Sequence, residues 1–338
     1  MIKKIFIFFL LFLSTFIFLN KINLLDNQAT ITKKFSEDNE KIIFDAKKQD
    51  KTIKVYYFKN NLKDFLPNIN NKVIIEKINN KYIIVDFYRL PAIFYLLLIF
   101  LILSILILKK EVFGALISLF FSFLIIFSSI IPNIIANSNP FVVVMIASLF
   151  MIPINFYLTH GFNKKTNAAI LGSLFGILIS IIISLLFTKI GYITGTVSEE
   201  IGFLSTMTSK NYDFQGIFLA SILIGVIGSI DDVTITQSTI VEKIINNNKN
   251  LKFSDIYKQA MDVGKDHINS IINTLILVYA SASLPLLLLF QVSNKNFFSI
   301  LNYEIVASEI VRTITATISI ILVIPLTTYF AIKIFKKD

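Results

Sequence analysis

Runs of about 20 predominantly apolar residues recur along this chain, and they decide most of what it can become. They cover residues 91–108, 112–131, 140–158, 167–187, 214–231, 268–290 and 307–332, and an eighth apolar run lies within 1–20. Such a run is long enough, as a helix, to cross the roughly 30 Å hydrocarbon core of a bilayer. Water is absent there, so a single segment can satisfy its own backbone only by becoming helical. The rest of the sequence agrees. Of 338 residues 55% are hydrophobic and 16% charged, against about 45–50% and about 25% in soluble domains. The mean hydropathy is +0.72. A soluble enzyme, a disordered chain and a disulfide scaffold are excluded. Cysteine is absent, which removes thiolate metal sites and cysteine nucleophiles, and two histidines (His160 and His267) cannot build a His-rich centre. The expected fold class is therefore an α-helical integral membrane bundle of about eight spans.

Residues 1–20 begin Met-Ile-Lys-Lys and continue with apolar residues, as a signal peptide does. No small-residue cleavage site follows, so an uncleaved signal anchor is the preferred reading, with Lys3 and Lys4 in the cytoplasm. Residues 21–90 change character. Short alternating runs at Ala29–Phe35, Lys41–Asp45, Thr52–Phe58, Lys72–Lys77 and Tyr82–Phe87 are separated by turn-like Asn60-Asn61, Pro67-Asn68 and Asn79-Asn80. Period-two patterning broken by turns predicts a small β-domain of about five strands, OB-like in size. Lying between spans 1 and 2, it should be extracytoplasmic. Residues 91–338 form the remaining seven spans, with a helical cytoplasmic loop at 232–267. Charge supports this layout. Lys109-Lys110, Lys164-Lys165, the five lysines of 232–267 and Lys333, Lys336 and Lys337 all fall on the cytoplasmic side, as do both termini, while 132–139 has no lysine. The net charge of +10 is accounted for in this way and does not indicate nucleic acid. The Gly172/Gly176 pair and the Ala280–Ser283 patch read as close helix packing.

Ionisable side chains in or beside membrane spans are costly and point to function. Three groups stand out. In the first, Gly225, Ser229, Asp232, Thr236 and Thr239 share one helix face, Asp231 points about 100° away, and Gln237 follows. In the second, Gln259, Asp262, Asp266, Asn269 or Ser270, and Asn273 form a polar stripe, with His267 beside it and Asp262 and Asp266 as like charges at i,i+4. The third is Glu309 and Arg312 at i,i+3 near one end of the last span, where an intrahelical pair explains both. The chain has no P-loop, no dinucleotide glycine pattern, no H-E-x-x-H and no G-x-S-x-G. No enzymatic activity, cofactor or metal is expected.

These same residues resemble the YibE/F family of bacterial multipass membrane proteins. The likeness runs through Asp86-Phe-Tyr-Arg89-Leu-Pro91, Thr159-His160-Gly161, Gly228-Ser-Ile-Asp231-Asp232-Val-Thr-Ile-Thr-Gln237, Gly264-Lys-Asp266-His267-Ile-Asn-Ser-Ile-Ile-Asn273, Glu309-Ile-Val-Arg312 and Pro325-Leu-Thr-Thr. It implies a bacterial cytoplasmic (inner) membrane location and, without naming a substrate, suspected transport. In another branch of the family the position of Asp231 is apolar, which sets Asp232 ahead of Asp231. The expected function is a permease or ion-coupled transporter for a small solute or ion. Its polar site would lie between spans 6 and 7, with Asp231, Asp232, Gln237, Asp262, Asp266, His267 and Asn273, and Arg312 from the last span. The competing expectation is a non-transporting scaffold or accessory subunit, acting as a homo-oligomer or with an envelope protein partner in the lipid bilayer. A transporter would pack Asp232, Asp266 and Asn273 together inside the bundle, and a scaffold would leave them on an open surface.

Overall fold

The computed structural model describes residues 27–38, 40–49, 51–59, 66–208, 210–293 and 295–336. The anchor or signal peptide expected at 1–20 and the Asn60-Asn61 turn lie outside the described residues. The chain divides into two compact units after Val112.

In the first unit the alternating runs form five strands: β1 (Gln28–Glu37), β2 (Lys41–Lys48), β3 (Lys51–Phe58), β4 (Lys72–Ile78) and β5 (Lys81–Phe87). They close into a barrel in the order β1-β2-β3-β5-β4, with β1 returning to β4 and β3 running parallel to β5. Alternation sends Ile42, Phe44 and Ala46 of β2, Val55 of β3, and Val73 and Ile75 of β4 into one apolar core. Asn79 and Asn80 both have positive φ (49° and 63°), the geometry of a two-residue hairpin turn, which asparagine tolerates. Arg89 donates to Asp86 at 2.6 Å, just before the apolar helix α1 (Leu90–Leu108), whose first turn carries Pro91. That bond holds the Asp86 carboxyl below its ordinary value.

The second unit is helical. Its elements are α2 (Glu111–Ile135, with a π-helical turn at Ile126–Ile130), α3 (Pro140–His160), α4 (Lys164–Ile190), α5 (Glu199–Met207), α6 (Phe214–Asn247), α7 (Phe253–Ala282), α8 (Leu284–Val292), α9 (Phe297–Asn302) and α10 (Glu304–Phe335). Among the described residues, α1, α2, α3, α4, α6 and α10 are each long and apolar enough to cross a membrane. The bent pair α7–α8 raises the number to as many as seven. The expected eighth span falls in residues 1–20.

Helix directions alternate. At the apical end, where α3, α6 and α10 begin, Asn139 caps α3 and donates to Asp213, and Asp213 caps α6. There Glu304 accepts from the Thr194 N–H (2.6 Å), the Gly195 N–H (2.9 Å) and the Thr194 hydroxyl (2.9 Å). Gly195 sits at φ +74°, and a Cβ there would come within 2.5 Å of the Phe214 carbonyl, so the loop closes only with glycine. At the basal end Ala168, Val241, Ile256, Ala260 and Ile332 form a common core. The 232–267 stretch is made of the continuation of α6 to Asn247, a five-residue link and the first half of α7. With 34 residues at ~1.5 Å each, α6 is about 50 Å long, well beyond a hydrocarbon core of about 30 Å. No glycine or proline interrupts it after Gly228, and Val233, Gln237, Val241 and Ile245 keep one buried face in register.

Candidate functional site

Small residues set the spacing of the helices that carry the polar groups. A Cβ at Gly172 would lie 2.0 Å from Thr327 Oγ1, and one at Gly176 would lie 2.3 Å from Val323 and 2.7 Å from Ile230. Through these contacts α4 meets α10 and α6 closely. The buried hydroxyls of Ser173 and Thr234 then bond at 3.0 Å, and Ser238 donates to the Lys165 carbonyl at 2.9 Å. Gln237 is fully buried and donates to the Ala260 carbonyl (3.0 Å) and to Thr328 Oγ1 (2.7 Å). It ties α6 to α7 and α10, while its own Oε1 has no hydrogen-bond partner among the described residues.

Asp231 flanks the buried face of α6, one turn after Ile227 and three residues before Thr234. About 25 Å along α6 from Phe214 at ~1.5 Å per residue, it lines a cavity of about 370 Å³ between α2, α3 and α6. Ser118 and Ser122 of α2, Asn155 and His160 of α3, and Asp232 share that cavity, with Phe123, Met151, Phe156 and Ile227 as apolar wall. Ser122 donates to Asn155 at 3.0 Å. Asp231 Oδ1 is buried and has no hydrogen-bond partner among the described residues. Asp232 is exposed at the cavity's edge. The His160 ring lies in the fields of both Lys165 and Asp232 and 6.2 Å from the ring of Phe156. Asp231 and Asp232 with His160 are not arranged as a metal centre, since no group of three acidic, histidine or cysteine side chains among the described residues is.

The other candidates lie elsewhere. Asp262 is exposed and paired to Lys265 at 3.1 Å, and Asp266, Asn269 and Asn273 are exposed along the same outward side of α7. His267 is half-buried, and its Nδ1 is enclosed without a partner among the described residues. Arg312 pairs with Glu309 at 2.9 Å, and its guanidinium lies 5.4 Å from the centre of the Phe218 ring. The structure thus brings Asp231 and Asp232 together with His160 on the α2–α3 side of α6. It does not bring Asp262, Asp266 or Asn273 into that cavity.

Asn155, Ser118 and Ser122 escaped the sequence reading. The available signals were an i,i+4 serine pair within one span and an asparagine inside another, two residues after Pro153.

A family model described as YibE/F-like protein matches residues 96–337, more than two thirds of the chain. The chain belongs to the YibE/F-like family. With six long apolar helices among its described residues, this YibE/F-like protein is a multi-pass membrane protein. The match covers all of α2 to α10 and so contains the cavity of Asp231 in full. No curated protein and no solved structure matches the chain.

Proposed function

We propose that this YibE/F-like protein is a permease, an ion-coupled transporter of a small solute, and that the cavity between α2, α3 and α6 is where it exchanges its ion. One observation supports the reading above the others: Asp231 presents a buried oxygen without a hydrogen-bond partner to a cavity dotted with hydroxyl, amide and imidazole groups. Asp231 closes the 214–231 apolar run near the basal end of the span, and a buried carboxyl oxygen without a partner there is still costly. Such a cost is carried where the group binds or releases something, and a proton or a small cation is what a carboxylate can exchange. His160 and Asp232 at the cavity's edge provide the next stations towards water. In this reading the expected site between α6 and α7 gives way to one on the opposite side of α6. The protein lies in the bacterial cytoplasmic membrane with the basal end in the cytoplasm, and the barrel is an OB-like extracytoplasmic domain. No enzymatic step is assigned.

The test is proton movement in proteoliposomes, followed with an entrapped pH-sensitive dye under an imposed gradient. Wild type should dissipate the gradient faster than empty liposomes, and Asp231→Asn should abolish the difference. Equal rates for wild type and Asp231→Asn would overturn the assignment.

A second reading, a non-transporting scaffold or accessory subunit, draws support from α7. Its outward side carries Asp262, Asp266, Asn269 and Asn273. A polar side of this kind suits a protein neighbour, either a second copy or an envelope protein, better than lipid. Crosslinking from cysteine placed at Asn273 in native membranes would reveal such a neighbour.

A further inference from the structure

The Asp231 cavity is larger than the exchange of a proton requires. Its volume of about 370 Å³ falls within the range of about 300–1,000 Å³ that small-molecule sites occupy, whereas a proton needs one acceptor atom. Glycine contributes to that space. Gly225 of α6 packs close to α7, where a Cβ would come to 3.1 Å from the Tyr279 hydroxyl. Gly228 is different: a Cβ there meets nothing within 4 Å, and the residue lines the cavity beside Asp231 and Asp232. A glycine inside a helix costs about 0.5–1 kcal/mol relative to alanine. At Gly228 no helix contact requires it, and what its missing side chain leaves is room next to the two carboxylates.

The lining has the chemistry of a site for an organic cation. Asp231 and Asp232 both border the cavity, and among the described residues no lysine or arginine lines it. The field of Lys165 reaches His160 at the edge, so the balance of charge around the cavity stays acidic. Acceptors predominate among the polar groups left open. Asp231 Oδ1 is buried without a hydrogen-bond partner among the described residues. Ser122 gives its hydroxyl proton to Asn155 at 3.0 Å, so it can offer a further partner only the lone pairs of its oxygen. An ammonium group answers such a set with one positive charge and three N–H donors. The apolar wall of Phe123, Phe156 and Ile227 suits a carbon body attached to it. A bare metal ion is served less well, because no group of three acidic, histidine or cysteine side chains is gathered among the described residues.

We infer that the cavity between α2, α3 and α6 binds a small organic amine in its protonated form, with the ammonium group on Asp231 and the carbon body against the apolar wall in the space beside Gly228. This names the class of solute for the permease reading above and rests on it for its purpose, whereas the binding itself is measured without any flux.

The experiment is thermal unfolding of the purified full chain with benzylammonium chloride as probe. Sodium chloride at the same ionic strength and benzyl alcohol, which has the same ring without the charge, are the controls. Benzylammonium should raise the wild-type midpoint above both. Asp231→Asn should weaken the apparent benzylammonium affinity by ~10-fold or more, the scale of a lost charge-assisted contact. Gly228→Val should weaken it by a similar factor by filling the space, and it carries the test if Asp231→Asn does not fold. Equal wild-type midpoints in benzylammonium and sodium, an equal increment from benzyl alcohol, or an increment kept in full by either folded variant would overturn the site. Loss of the increment with proton movement still dependent on Asp231 would refute the amine and leave the ion exchange standing. An increment that needs Asp231, with proton movement equal in wild type and Asp231→Asn, would uphold amine binding and refute the exchange.

Discussion

Gly172→Ala is the sharpest probe of how the bundle is assembled. An added Cβ would lie 2.0 Å from Thr327 Oγ1, 3.0 Å from Thr327 Cβ and 3.3 Å from Thr327 Cα. Rotating the threonine relieves only the first contact, because the other two involve its Cβ and backbone. α4 and α10 would have to separate, along an interface that also holds the Gly176–Val323 contact. Overpacking of a close-packed interior costs about 1–3 kcal/mol, and a contact involving backbone belongs near the upper half of that range. About 2 kcal/mol is a large share of a total stability of about 5–15 kcal/mol. It should lower the unfolding midpoint by about 4–8 °C in a unit of this size. Thr327 offers an internal control. Its hydroxyl is buried and without a partner among the described residues, so Thr327→Ala alone should be nearly neutral. Combined with Gly172→Ala it removes the closest contact, and the pair should recover about 1 kcal/mol in a double-mutant cycle. Thermal unfolding in detergent reads all four proteins. An unchanged Gly172→Ala midpoint, or strictly additive variants, would refute the claim that glycine sets this helix spacing.

Other outcomes follow from single contacts. Glu304→Ala removes three hydrogen bonds from Thr194 and Gly195 and should cost about 1–3 kcal/mol, seen as a lower midpoint and faster proteolysis of the 191–213 loop. In the barrel, Asn80→Ala meets a φ of 63° and should lose about 1 kcal/mol, while Asn80→Gly should be tolerated, as judged by unfolding of the full chain. Glu37 is bonded by Lys34 and Lys59, and these bonds hold its carboxyl at about 2 against an ordinary value of 4.5. Its contribution is therefore complete above pH 4.5 and is lost as pH falls towards 2. The wild-type advantage over Glu37→Gln should vanish over that window, and a constant difference would contradict the pairing.

Much of the architecture was open to reading because its signals are local. Alternation with Asn-Asn turns marks a strand from a few neighbouring residues, and five strands formed where five alternating runs lie. An apolar run near 20 residues similarly forces a helix whatever its neighbours are. Helix ends were less legible. α6 runs to Asn247 because Val233, Gln237, Val241 and Ile245 hold its face against α4, α7 and α10, and hydropathy stops reporting once charged residues enter the pattern. The polar stripe of α7 had the right spacing for one face, yet spacing does not say what that face meets.

The sequence by itself determined the segments, their helical or extended state, and a short group of costly polar residues that included Asp231 and Asp232. Only the tertiary structure decided which of these share a space. Neighbouring residues on a helix point about 100° apart, so one rotation of α6 about its axis exchanges the surroundings of Asp231 and Asp232. That rotation is set by Gly172 and Gly176 of α4, by the α6 and α10 side chains they admit, and by the tie of Gln237 to α7 and α10. These contacts put Asp231 in the cavity that Asn155, Ser122 and His160 also line and leave Asp232 at its rim, and they join residues some 20 to 160 positions apart in the chain. No local pattern encodes such distances, because the free energy that fixes the rotation belongs to the packed bundle and not to any single helix.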